Sequence, residues 1–112
     1  MKRAAIWLAA TAAVALAATH AQARGNPESG KAKAAQVCAA CHGADGAKPI
    51  APENPILAGQ HYDYLVQALS DYKSGKRNNA IMKGFAATLS KQEIEDLAAW
   101  FASQKSGLRF QR

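Results

Sequence analysis

Apolar side chains recur at the spacing of a single helix face in three stretches of the chain, and turn-forming residues bound each stretch. In "NPESGKAKAAQVCAACHG", Ala34, Val37, Cys38 and Cys41 stand at i, i+3, i+4 and i+7, so one face turns inward and carries both cysteines. Asn26 is a good N-cap, Pro27 suits the first helical position, Glu28 complements the positive helix start, and Gly43 is placed to end the helix. A second stripe runs through "HYDYLVQALSDYKSG" on Tyr62, Leu65, Leu69 and Tyr72, with Gly75 at the stop. The third lies in "LSKQEIEDLAAWFASQ", where Ser90 and Glu93 make a capping box and Ile94, Leu97, Ala98 and Phe101 form the inward face. Between the last two stripes, "KRNNAIMKGFAAT" is polar at first and then apolar around Met82. It reads as a loop passing close to the core, with room for one short helical turn.

From Gly43 to Gly59 the chain reads "GADGAKPIAPENPILAG", with three prolines and no sustained period, which predicts a loop of 17 residues. Loops of that length inside a small domain tend to be functional or disordered, and one that wraps a bound group would be ordered by what it covers. The pattern as a whole predicts an all-α fold of three main helices.

The chain opens "MKRAAIWLAATAAVALAATHAQA": a basic start, an apolar run from Ala4 to Ala18 broken only by Thr11, and small residues at Ala21 and Ala23. This is the layout of a secretory signal peptide over residues 1–23, cleaved after Ala23, and the run is shorter than the roughly 20 residues of a membrane span. The alternative is a retained anchoring helix. Cleavage leaves residues 24–112 as one domain of 89 residues, a size at which a bound group often supplements the core. It also removes Lys2 and Arg3, leaving 12 basic against 8 acidic side chains. That mild excess is not the clustered stripe of a nucleic-acid binder and suits acidic protein partners better. Export points to the periplasm, without stable membrane insertion after processing.

Export also sharpens the question of why Cys38 and Cys41, the only cysteines, stand three apart with His42 directly after them. A dithiol reductase places such a pair at a helix N-terminus after a strand, and no β-branched run precedes this one. A structural zinc ion would need Cys38, Cys41, His42 and His61 to converge, which adjacent Cys41 and His42 oppose. A plain disulfide leaves His42 without a purpose. The pattern C-x-x-C-H is the signature of covalent haem attachment. Two thiols three apart on a helix reach the same side, where they can bond both vinyl groups of a porphyrin edge, and His42 is placed to bind the iron.

What fills the other axial face of such an iron decides between catalysis and electron transfer. Met82 is the only methionine left after processing, in a loop suited to crossing the opposite face; an ordinary core methionine is the alternative. His61 is the rival ligand.

These residues resemble those of class I c-type cytochromes, most closely the cytochrome c4 and c553 groups. The resemblance runs from Gly30 to Gln104 and rests on "CAACHGADG", "NPILAGQHYDYL" and "IMKGFAATLSKQEIEDLAAWFASQ". It implies a small cytochrome c-type fold wrapped around one covalent haem c, with Cys38 and Cys41 as attachment points and His42 and Met82 as axial ligands. It further implies that the Pro55 carbonyl accepts a hydrogen bond from His42, and that Gly30 lies where the first and last helices cross, packed by Leu97 and Trp100. Many cytochrome c4 proteins carry two such domains, and this chain has room for one.

The expectation is a soluble carrier of single electrons rather than an enzyme. Lys48, Lys73, Lys76, Arg77 and Lys83 are the residues to steer it toward an acidic surface on a terminal oxidase, reductase or dehydrogenase. Two rivals stand beside it: a haem sensor or small peroxidase-like enzyme in which Met82 leaves the iron open, and a subunit delivering electrons inside a larger complex.

Overall fold

A computed structural model describes residues 24–107 of the 112; the expected signal segment lies outside them. The described residues form five helices and no strand: α1 (Pro27–Val37), α2 (Ala39–His42), α3 (Tyr62–Ser74), α4 (Ala80–Ala87) and α5 (Lys91–Ser103). The all-α expectation holds, with the three main helices where the apolar stripes placed them and two short ones beside them.

Local chemistry sets the helix ends. The Asn26 side chain accepts from the backbone N–H groups of Glu28 and Ser29 at 2.9 and 3.2 Å, giving two donors of the first turn a partner. The first predicted helix is interrupted at Cys38, whose φ of −111° is wide for a helix although its ψ of −34° stays in the right-handed region, before α2 resumes. Gly43 (φ 85°) and Gly75 (φ 83°) stop α2 and α3 in conformations that favour glycine. At α5 the expected capping box is present: Glu93 N donates to Ser90 Oγ at 3.1 Å, and Ser90 N donates to Glu93 Oε2 at 2.8 Å.

The segment around Met82 differs from expectation. It is not a loop with one turn but the eight-residue helix α4. Its cap is Asn79, whose side chain accepts from Ile81 N at 3.1 Å and Met82 N at 3.0 Å. Asn78 and Asn79 read as loop residues, yet an asparagine ahead of an alanine-rich run is a good helix start.

The most extensive helix pairing is that of α1 with α5. At their crossing a Cβ on Gly30 would lie 2.0 Å from the Asp96 carbonyl oxygen and 2.9 Å from Trp100 Cβ, so only glycine lets the backbones meet. The nearest atoms belong to Asp96 and to Trp100, the latter as expected. The buried Asp96 carboxylate accepts from Asn26 N at 2.6 Å and Gln92 Nε2 at 2.9 Å, fastening the start of α1 to α5. The core holds Ala34, Leu65, Leu89, Ile94, Leu97, Ala98 and Phe101, with Cys38, Leu57, Tyr62, Val66 and Leu69 packed half-buried against it. The whole expected face of α5 is buried, whereas α3 buries only Leu65 of its stripe. Among the described residues Leu97 is the only large side chain that is fully enclosed.

Candidate cofactor site

The break at Cys38 positions the site. Cys38 lies between α1 and α2, half-buried against the core, while Cys41 and His42 are carried by the single turn of α2. The two cysteines are not bridged. Burial, reinforced by neighbouring Cys41 and opposed by Lys33, pushes the Cys38 thiol up to about 11. It therefore stays protonated at neutral pH, the reverse of the depressed thiol that a dithiol reductase needs. Among the described residues no group of three or more His, Cys, Asp or Glu side chains is placed to hold a metal ion.

His42 is only 6% exposed. Its Nδ1 lies 3.0 Å from the Pro55 carbonyl oxygen. That carbonyl can only accept, so Nδ1 carries the proton and Nε2 keeps its lone pair for a metal. The same loop is tied down beside it. The Cys41 carbonyl accepts from Ile50 N and from Asn54 Nδ2, both at 3.1 Å, and the Gly46 carbonyl accepts from Leu57 N at 2.9 Å and Ala58 N at 3.2 Å. A Cβ on Gly46 would stand 2.8 Å from Phe101 Cδ1, so this glycine lets the loop close onto α5. Sequence reasoning passed over Asn54. An asparagine before a proline is a turn signal, and here its side chain also braces the turn that bears His42.

Met82 is half-buried on α4, and the fold brings it close to His42. Four of the five large apolar side chains left exposed among the described residues come from the loop and α4: Ile50 (73% exposed) and Ile56 in the loop, Ile81 (69%) and Phe85 on α4. Two unbridged thiols three residues apart, an imidazole with a directed Nε2 and a thioether are the kinds of donor that a covalently held haem would use. The residues present fit that group. His61 is exposed at the N-cap position of α3.

Of the basic residues, Lys48 lies in the loop after α2 and is exposed. Lys73, in the last turn of α3, donates to the Leu89 carbonyl. Lys76 and Arg77 occupy the α3–α4 connection, and Lys83 is exposed on α4. The Arg77 guanidinium donates to Tyr64 Oη at 3.1 Å and stands 5.0 Å from the centre of the Tyr72 ring.

A family model described as cytochrome c matches residues 27–105. The chain is 53% identical over 85 residues to cytochrome c4 of Pseudomonas aeruginosa, which covers 76% of this chain and 41% of that protein. It is 42% identical over 71 residues to cytochrome c-554(548) of Halomonas halodenitrificans, covering 61% of this chain and 84% of that one. Among solved structures, reduced recombinant cytochrome c4 from Pseudomonas stutzeri superposes with a TM-score of 0.68 at 42% identity, covering 75% of this chain and 48% of that one. The chain thus spans less than half the length of the cytochrome c4 proteins it matches.

Proposed function

The chain belongs to the cytochrome c family, and from that premise we propose that it is a periplasmic carrier of single electrons, not an enzyme, built on one covalent haem c. Cys38 and Cys41 would hold the group through thioether bonds, and His42 and Met82 would be its axial ligands. The haem supplies an iron that takes up and releases one electron. The observation that carries this reading is the His42–Pro55 hydrogen bond beside two unbridged cysteines: it fixes the tautomer that leaves Nε2 as the ligating nitrogen. Were His42 and Met82 both to bind the iron, no position on it would be open to a substrate, which would suit carriage rather than catalysis. Met82 also brings a soft thioether, which favours the reduced state relative to a second imidazole.

The leader over residues 1–23 supports export, and among the described residues no helix is long and apolar enough to cross a membrane. The cations at Lys48, Lys73, Lys76, Arg77 and Lys83 suit an acidic docking surface on an oxidase, reductase or dehydrogenase. The deciding experiment is a pyridine haemochrome spectrum together with the intact mass of protein purified from the periplasm. We expect the mass of residues 24–112 plus one haem; the mass of the bare polypeptide would overturn the reading.

A further inference from the structure

α4 is the element that carries Met82, and it rests on a single extensive helix pairing. α3 is the one helix on which it packs extensively, and of its eight residues only Ala86 is buried. A helix that rests on one neighbouring helix depends on how the connection leading into it is held.

The chain compensates at both ends of α4 with cations from α3 and the connection that follows it. Beyond the C-terminal end of α4, Lys73 reaches the Leu89 carbonyl. On the N-terminal side, Arg77 folds back along α3. Its backbone N–H donates to the Asp71 carbonyl at 3.1 Å, and its guanidinium donates to Tyr64 Oη at 3.1 Å. The same guanidinium stands 5.0 Å from the Tyr72 ring centre and 5.9 Å from that of Tyr64. Tyr64 and Tyr72 are eight residues apart, hence on one face of α3 about two turns from each other. One planar cation therefore staples the α3–α4 connection to two turns of α3, just ahead of the Asn79 cap. A lysine ammonium cannot lie flat on a ring while donating sideways to a hydroxyl.

We propose that Arg77 is a positioning residue: stacked on Tyr72 and bonded to Tyr64, it fastens the connection into α4 and so keeps Met82 seated at the site. This rests on the reading of Met82 as an iron ligand. Two measurements on the haem-loaded protein separate the two ideas. One is amide hydrogen exchange of residues 80–87. The other is the affinity of the ferric protein for added imidazole, which competes with Met82 and is followed by loss of the far-red sulfur-to-iron absorption band. Opening of α4 sets both, so R77A is expected to speed exchange in α4 and to tighten imidazole binding, each by roughly tenfold, with exchange in α1 and α5 unchanged. R77K, which keeps the charge and loses the planar fork, should resemble R77A. Y64F, which removes only the hydroxyl, should give roughly threefold. If R77K behaves as wild type, or if R77A leaves both quantities unchanged, the staple is overturned. A wild-type ferric spectrum without the sulfur-to-iron band overturns the ligand reading instead, and α4 exchange alone then decides the staple.

Discussion

Gly30 and Gly84 both sit inside helices, yet their surroundings are opposite. Around Gly30 the α1 and α5 backbones approach until a single added carbon would overlap the Asp96 carbonyl; around Gly84, in α4, such a carbon would meet nothing within 4 Å. The contrast holds for the two regions as wholes. The α1–α5 crossing is fastened by a buried carboxylate beside an enclosed leucine, whereas α4 leans on one neighbouring helix and buries one alanine. Cys38, Cys41 and His42 follow directly from α1 and are braced by a loop locked onto α5 through Gly46, so the attachment end of the site belongs to the stiff region. Met82 belongs to the light one. In the proposed carrier, the residues that would attach the haem and the methionine that would bind its iron therefore sit in differently fastened parts of the fold.

One substitution placed in both regions tests the contrast most severely. Gly30→Ala should lower stability by roughly 3 kcal/mol or more, because two backbones would have to separate, and a urea unfolding midpoint on the haem-loaded protein would register it. Gly84→Ala should do the reverse, removing a flexible residue from an open helical position and stabilising α4 by about 0.4–1 kcal/mol. Slower amide exchange confined to residues 80–87 is the expected signature. Equal effects at the two sites would abolish the distinction.

Removing the two N-caps sharpens the comparison at smaller magnitude. Ser90→Ala and Asn79→Ala each delete a side-chain acceptor at a helix start, and each should cost about 1 kcal/mol. The cost should appear in different places. At Ser90 it weakens α5, on which the core is assembled, and shifts the urea midpoint. At Asn79 it loosens α4 and speeds local exchange, while the global midpoint moves little.

What the amino-acid pattern revealed divides along the same line. The α5 face of Ile94, Leu97, Ala98 and Phe101 was legible because helix period, capping box and burial all agree there. The break at Cys38 was not, because apolar spacing runs straight through it and backbone dihedrals leave no trace in a hydrophobic pattern. Asp96 escaped notice because a charged residue in a helix reads as exposed; its partners, Asn26 and Gln92, become visible only once α1 lies on α5. α4 has the composition of a loop at its start, where a polar lead-in disguises the Asn79 cap. In the site, the spacing of Cys38, Cys41 and His42 speaks for itself chemically. The Pro55 carbonyl does not, since every residue owns such an acceptor, and only the family resemblance pointed to it.

The smallest effect concerns the one ion pair that ties the first helix to the start of the last. Lys33 Nζ lies 2.7 Å from Glu93 Oε1, and the bond to Lys33, with help from the Ser90 backbone, holds the Glu93 carboxyl below its ordinary range. A carboxyl depressed in the folded state contributes stability above its unfolded pKa of about 4.3 and loses that contribution as pH falls through the folded value. Glu93→Gln keeps a side chain able to complete the capping box and removes only the charge. The difference in urea midpoint between wild type and E93Q should therefore be constant near neutrality, shrink once the pH drops below about 4.3, and disappear in stronger acid. Because the pair is open to solvent the difference should be small and should fade with added salt. A difference that survives both acid and salt would mean that Glu93 acts in the α1–α5 region through packing rather than charge, and the crossing would then owe its stiffness to Gly30, Asp96 and Leu97 without electrostatic help.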